Sequence, residues 1–196
     1  TLHGASCHAC AFVAETSFIG GSNLFVEGLA DQVLLAGVNS LFLGLGFPRT
    51  ELLDLNTVTI VPCGSASSVP YLVYLARGRD VIRPPSVALL DSDQEGNEAA
   101  KVLSRGGPRR AELLADKFVM QIGSWAKSVS GMSLPPGLTA AELEDLIPVR
   151  VAVEAARSYA IRMLSIEPAA SEAFTEAAIL QEIAGGPGGL FDAVTR

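Results

Sequence analysis

The sequence is poor in the residues from which several common kinds of site are built. Its 196 residues include two histidines and one tryptophan, and aromatic residues make up only 6% of the chain. The three cysteines, Cys7, Cys10 and Cys63, are an odd number and too few for a disulfide scaffold. Because no signal peptide with charged, apolar and small-residue regions opens the chain, we expect a reducing, cytoplasmic location.

Long apolar runs and positive charge are also scarce. The longest apolar stretch, 32–47, is interrupted by glycine and polar residues, so it falls short of the roughly 20 residues that a membrane span needs. Lysine and arginine number 14 against 21 acidic residues, which gives a net charge of −7 and removes the simplest electrostatic case for nucleic-acid binding. A polyanionic substrate would therefore need metal ions or locally clustered arginines.

What the chain does contain is enough apolar sequence for a well-packed domain. Hydrophobic residues make up 49% of the chain and charged residues 18%, which excludes intrinsic disorder and a coiled coil. Four apolar segments have the pattern of buried strands, and helical segments follow them. The strands are predicted over 23–27, 57–62, 86–90 and 117–122, and the helices over 31–47, 71–76, 95–103 and, before the last strand, 111–115.

This alternation predicts an α/β fold, with an open sheet of about four mainly parallel strands flanked by helices. Beyond the sheet, loops rich in glycine and proline separate further helices, predicted over 140–146, 149–164 and 171–183. We therefore expect an irregular segment at 1–21, an α/β domain at 22–128 and a helical extension at 129–196.

Acidic residues follow the first and the third predicted strands. Glu27 ends the first strand and Asp31 falls in the first turn of the next helix, while Asp91 and Asp93 follow the third strand. Open α/β sheets place their ligand sites at the carboxyl ends of strands. Carboxylates grouped without histidine or thiolate are the ligands that Mg²⁺ and Mn²⁺ prefer. The sequence therefore predicts a site for divalent metal ions at the carboxyl ends of the first and third strands.

Each of these features also has a simpler explanation. An Asp-x-Asp motif is typical of turns, Asp93 would cap the following helix, and Asp31 would interact favourably with a helix dipole. We favour the metal site because the four acids occur together, each in the right strand context. The cluster Cys7-His8-Ala9-Cys10 would suggest zinc, but it lacks the second ligand pair of known zinc sites.

Three blocks of sequence resemble a known family of nucleases. They are LFVEG at 24–28 with Asp31, VTIVPCG at 58–64, and VALLDSD at 87–93 with Gly96. Together they resemble the Toprim domain of the overcoming-lysogenization-defect (OLD) family. The resemblance covers about 22–103, with a looser similarity at 141–148, AELEDLIP, where the family carries an acid-rich turn. Its specificity comes from the order, the strand context and the separation of the blocks.

The resemblance implies a Toprim catalytic domain at 22–128 that acts as a DNA endonuclease or nickase. It would hydrolyse phosphodiester bonds with two Mg²⁺ or Mn²⁺ ions. Glu27 would be a metal ligand and a candidate general base, and Asp91 would be a second catalytic carboxylate. The full implied ligand set is Glu27, Asp31, Asp91, Asp93 and Glu95, with the pair Glu144 and Asp145 as an alternative source of ligands for the second ion.

Basic residues are also implied, because such nucleases place a lysine near the phosphate in the transition state. The chain has three lysines, Lys101, Lys117 and Lys127, and the last is favoured because it follows the carboxyl end of the fourth strand. Arginines around a Gly-Gly-Pro loop are the clearest cluster able to contact DNA phosphates, although such charges are also common on solvated surfaces. They are Arg105, Arg109 and Arg110.

Full-length members of the family carry an ABC-type ATPase domain ahead of the Toprim domain. The glycine pairs of this chain lack the Lys-Ser or Lys-Thr of a phosphate-binding loop. We therefore expect a C-terminal nuclease region without its ATPase domain, and any homodimer would form through the missing regions. Three alternatives stay open: a Toprim enzyme acting on RNA, a non-catalytic assembly or nucleic-acid-binding module, and a flavodoxin-like phospho-receiver, for which Lys117 is badly placed.

Overall fold

The computed structural model describes residues 19–78, 83–106, 112–186 and 189–195. The chain divides into two compact units, with the boundary between Gln121 and Ile122. This boundary lies a few residues before the one the sequence suggests, after 128. No helix within the four described ranges is both long enough and apolar enough to cross a membrane.

The first unit alternates strands and helices. Its elements are β1 (Ser22–Val26), α1 (Leu29–Gly44), β2 (Val58–Pro62), α2 (Val69–Gly78), β3 (Ser86–Leu90), α3 (Gln94–Arg105) and β4 (Val119–Gln121). The four strands form one parallel sheet in the order β2-β1-β3-β4. Phe25 in β1 pairs with Val61 on one side and with Ala88 on the other. The predicted open sheet of four parallel strands with flanking helices is confirmed.

The main core of this unit involves the sheet together with α2 and α3. Val69, Val73 and Ala76 recur at helical spacing, so they line one face of α2 and pack in the same cluster as Phe25 and Leu90. Helix α1 lies in the connection from β1 to β2, which crosses the sheet in one direction. Helices α2 and α3 lie in the connections from β2 to β3 and from β3 to β4, which cross it in the opposite direction. Right-handed crossovers therefore place α1 on the opposite face from α2 and α3.

The segment before β4 differs from the sequence prediction. The described part of the predicted helix, 112–115, is not helical, and a 3₁₀ turn at Asp116–Phe118 precedes β4 instead. The backbone amides of Leu113 and Leu114 donate to the carbonyl oxygen of Leu103, which ties this segment to the end of α3. Leu114 is also fully buried. These tertiary contacts outweigh the helical propensity of a short segment.

The second unit is helical, as predicted for the C-terminal part. It contains α4 (Ile122–Ser128), a 3₁₀ turn (Leu143–Leu146), α5 (Val149–Met163), α6 (Pro168–Ser171), α7 (Glu176–Gly185) and α8 (Leu190–Thr195). Its own core includes Val153, Ile179, Ile183 and Leu190. The single helix predicted over 171–183 is interrupted, because Thr175 caps a new helix by accepting the backbone N–H of Ala178 at 3.2 Å.

Candidate metal centre

The carboxyl ends of β1 and β3 lie where the chain connections change direction. From β1 the chain crosses to β2 on one side, whereas from β3 it crosses to β4 on the other side. Ligands of open α/β sheets bind outside the carboxyl ends of strands at such a switch point. Glu27 directly follows β1 and Asp91 directly follows β3, so the topology brings these two sequence-predicted positions to the switch point.

Glu27 connects the two strand ends. The backbone N–H of Asp91 donates to Oε1 of Glu27 at 2.8 Å, across a separation of 64 residues. Burial raises the pKa of Glu27, the bond from Asp91 partly offsets this, and the negative charges of Asp93, Asp31 and Glu95 raise the pKa further. Three carboxylates therefore act electrostatically on Glu27, and a bound cation would relieve this repulsion.

Asp31 and Asp93 each have one oxygen engaged by the backbone. Oδ2 of Asp31 accepts the N–H of Gly28 at 2.7 Å, and Oδ1 of Asp93 accepts the N–H of Gly96 at 2.7 Å as the cap of α3. The helix-terminus roles considered for these residues are therefore present. They do not conflict with a metal role, because each cap holds one oxygen and fixes the direction of the whole carboxylate.

A polar link from the end of β4 holds the loop that carries Asp93. Nε2 of Gln121 donates to Oδ1 of Asn97 at 2.8 Å, and the side-chain and backbone amides of Asn97 donate to the carbonyl oxygen of Asp93. Sequence analysis missed both amide residues. The available signal was positional: Gln121 is a polar residue at the carboxyl end of a parallel strand, which is the same argument that singled out Asp91.

Gly96 allows α3 to begin close to this loop. A Cβ at this position would overlap the carbonyl oxygen of Asp91 and lie 3.2 Å from Oδ1 of Asp93. Both neighbours belong to the segment on which the predicted metal ligands lie. The glycine in the sequence block 87–96 therefore has a steric reason in the structure.

We expect Gly96→Ala to lower the free energy of unfolding by about 1–3 kcal/mol, because the methyl group would displace the backbone of Asp91. Chemical denaturation followed by circular dichroism measures this. The matched control is Gly37→Ala in α1, where a Cβ meets nothing within 4 Å. That control should be neutral or stabilising by up to about 1 kcal/mol. Equal stability of Gly96→Ala and wild type would contradict the predicted clash.

Cys63 follows β2 and lies near the same site. Its backbone N–H donates to the carbonyl oxygen of Val26 at 2.9 Å. Burial raises the pKa of its thiol to about 12, and the charge of Glu27 contributes to the rise. Without a metal ion the thiol is therefore protonated at neutral pH, which makes it a poor nucleophile. The sequence-predicted metal ligands that follow β1 and β3 are all carboxylates.

Asp145 has a different environment from the other predicted ligands. It belongs to the second unit, where its side chain is 1% exposed. Oδ2 accepts the backbone N–H groups of Ala141 and Glu142 at 2.9 and 3.0 Å, and Oδ1 accepts that of Leu190 at 2.7 Å. Both oxygens thus satisfy backbone donors, which gives this carboxylate a structural role in joining the start of α8 to the 3₁₀ turn.

The remaining predicted residues are dispersed. Glu95 is exposed in the first turn of α3, where its charge reaches Glu27. Arg105 is exposed in the last turn of the same helix. Lys127 and Glu144 belong to the second unit, in α4 and in the 3₁₀ turn respectively. Outside the described residues lie Arg109, Arg110 and the amino-terminal cluster Cys7, His8 and Cys10.

The chemistry of the acids at the switch point fits a hard divalent cation, since every donor is a carboxylate oxygen. Their geometry does not form a ready ligand cage: within the described residues, no three Asp, Glu, His or Cys side chains are grouped so as to hold a metal ion. No family model, curated protein or solved structure matches this chain. The resemblance to Toprim nucleases therefore depends on the sequence motifs and stays a prediction.

Proposed function

We propose that the first unit is a divalent-metal-dependent nuclease that hydrolyses phosphodiester bonds of DNA. The observation that carries this proposal is the contact between Glu27 and the backbone of Asp91 at the switch point of the sheet, within the field of three further carboxylates. An enzyme that acts on polyanionic phosphates needs a cation in such a site. The order of the three sequence blocks, which resembles Toprim nucleases, supports the same activity.

The residues of the site have separate roles in this proposal. When bound, Mg²⁺ or Mn²⁺ would supply Lewis-acid polarisation of a phosphate oxygen and a lowered pKa of water. Glu27 is suited to accept a proton from the attacking water, because its half-buried carboxylate lies at the switch point beside the other acids. Asp31 and Asp93, oriented by their backbone bonds, would bind the cation, together with Asp91. Glu95 would extend the ligand set towards a second ion.

Substrate binding in this proposal depends on the metal. A chain with a net charge of −7 gains little long-range attraction for DNA, so neutralisation of the acidic site would be needed first. Arg105 is the described residue of the predicted phosphate-contacting cluster, whereas the role of Lys127, which belongs to the second unit, stays a prediction from the sequence. We propose a cytoplasmic location, and the resemblance implies an ATPase domain as a partner, both on the sequence arguments given above.

The direct test is incubation of the purified protein with supercoiled plasmid and Mn²⁺ or Mg²⁺. We expect nicked and then linear DNA, with no product when a chelator is present. Asp91→Ala should lower the nicking rate about 10²-fold, because other carboxylates remain to bind the cation. The control is Asp116→Ala, which replaces an exposed acid just before the amino-terminal end of β4, whereas the predicted ligands follow the carboxyl ends of strands. This variant should cut DNA at the wild-type rate.

Intact plasmid under a broad range of metal and salt conditions would reject the nuclease proposal. It would favour a non-catalytic module, which the capping bonds of Asp31 and Asp93 already support as a second candidate. That module would bind Mn²⁺ weakly or not at all in calorimetry. Labelled single-stranded RNA in the same reaction distinguishes an RNA-directed enzyme from a DNA nuclease.

A further inference from the structure

Asn97 makes an unusual hydrogen bond near the start of helix α3. It is the fourth residue of the helix, and its side chain is exposed. Its backbone N–H donates to the carbonyl oxygen of Asp93 at 3.1 Å, as in any helix, and its side-chain amide donates to the same oxygen. Asparagine is a weak helix former because its side chain competes for backbone groups in this way. Helix stability alone therefore does not account for this residue.

The hydrogen bonds that lead from Asp93 to β4 have one possible direction. A carbonyl oxygen only accepts, so Asn97 presents its Nδ2 to Asp93 and its Oδ1 to Gln121. This Oδ1 accepts from Nε2 of Gln121 at 2.8 Å. We call this path, from Gln121 through Asn97 to the carbonyl oxygen of Asp93, the amide bridge. It connects the last residue of β4 with the loop that follows β3.

Both ends of the amide bridge lie beside predicted metal ligands. Gln121 is paired in the sheet with Leu90, the residue before Asp91. At the other end, the bridge holds the carbonyl oxygen of Asp93, and the N–H of Gly96 holds Oδ1 of its carboxylate at 2.7 Å. The backbone and the side chain of Asp93 are thus both fixed, although this residue is exposed. Fixing an exposed side chain in advance lowers the entropy cost of binding a ligand.

We propose that Gln121 and Asn97 are positioning residues that raise the affinity of the site for a divalent cation by holding Asp93 in its binding orientation. This inference rests on the proposed function, because it takes Asp93 as a metal ligand. Residues that orient metal ligands through hydrogen bonds contribute roughly 10- to 100-fold to metal affinity. The alternative is a purely structural link between β4 and α3, which predicts a loss of stability with no change in metal affinity.

Calorimetric titration of the protein with Mn²⁺ tests this proposal. Gln121→Met keeps the length of the side chain and removes its donor, so it should raise the dissociation constant for Mn²⁺ about 10-fold. The matched control is Gln94→Met, because Nε2 of Gln94 also donates to a side chain of α3, Oε1 of Glu98 at 3.1 Å, but takes no part in the amide bridge. The control should bind Mn²⁺ as the wild type does. Both melting temperatures should stay within about 4 °C of the wild type, since each variant loses one hydrogen bond.

Asn97→Ala tests whether the two amides act through one path. This variant should also raise the dissociation constant about 10-fold. Adding Gln121→Met to it should weaken binding no further, whereas two independent effects would multiply. In the nicking assay, the Mn²⁺ concentration that gives half the maximal rate should rise by the same factor. The rate at saturating Mn²⁺ should stay within about two-fold of the wild type, because the bridge does not contact the reacting atoms.

The outcomes separate this inference from the proposed nuclease. If Gln121→Met bound Mn²⁺ as tightly as a wild type that cuts DNA, the inference would be overturned and the nuclease would stand. Multiplying effects in the double variant would also overturn the amide bridge as a single path. If the wild type bound Mn²⁺ without cutting DNA, the nuclease would be rejected, and the dissociation constants would still decide the role of Gln121. A wild type that binds no Mn²⁺ would overturn both.

Discussion

Replacing Glu27 with glutamine is expected to remove metal-dependent cleavage and, at the same time, to leave the metal-free protein at least as stable as the wild type. The nicking rate should fall about 10³-fold, because the variant loses both a charged ligand and the proposed proton acceptor. Glutamine keeps a carbonyl oxygen that can accept the N–H of Asp91, so the contact between the two strand ends is retained. What disappears is a half-buried charge repelled by its neighbours.

The stability difference should depend on pH in a defined direction. Burial, with the nearby charges, raises the pKa of Glu27 in the folded protein above its value in the unfolded chain. Between these two pKa values the folded state binds more protons, so wild-type stability falls as the pH rises through the raised pKa. The melting temperature of Glu27→Gln relative to wild type should therefore be most positive at pH 8 and smallest near pH 4.

Two comparisons complete this experiment. Glu98→Gln makes the same change at an exposed position of α3, and it should alter neither cleavage nor the pH dependence. Addition of Mn²⁺ should raise the melting temperature of the wild type more than that of Glu27→Gln, because tighter binding of a ligand stabilises the folded protein more. If Glu27→Gln were clearly less stable than wild type at pH 8, the carboxylate would have a structural role and the electrostatic argument for a cation would fail.

The sequence predicted those parts of the site that local strand patterns and helix-capping preferences determine. The apolar run at 86–90 became β3 with the predicted bounds, and the acids after β1 and β3 therefore lie at strand ends. Asp93 as the cap of α3 follows from the same local chemistry. The strand order could not be obtained in this way, because it depends on pairing between segments far apart in sequence. The switch point between β1 and β3 could therefore be identified only from the strand order of the folded sheet.

Other parts required tertiary contacts that local patterns do not encode. The bridge from Gln121 to Asn97 joins side chains 24 residues apart, and the loss of the predicted helix before β4 follows from contacts with Leu103. The apolar sequence of α1 correctly indicated a helix, but apolar composition usually predicts burial. That no residue of α1 is fully buried is a property of the folded unit, which the apolar composition of the helix does not encode.

Asp145→Ala is expected to destabilise the second unit by about 3–5 kcal/mol, since it removes a buried acceptor and leaves three backbone N–H groups without it. Two of these groups, at Ala141 and Glu142, belong to the turn, and the third, at Leu190, begins α8. The loss of stability should therefore be greatest in the turn and at the start of α8, which the carboxylate joins. Hydrogen exchange should show α8 opening first, and urea denaturation should give the total change in stability.

Two variants separate this structural role from the predicted metal role of the same residue. Asp145→Asn keeps one oxygen acceptor and should cost less than Asp145→Ala, whereas Glu144→Ala, at the neighbouring half-buried acid, should cost under about 1 kcal/mol. Gly189→Ala should resemble Asp145→Ala, because a Cβ there would overlap the carboxylate of Asp145. If Asp145→Ala instead left stability unchanged and abolished Mn²⁺-dependent nicking, Asp145 would be a metal ligand after all, and the hydrogen bonds to its two oxygens would be dispensable for folding.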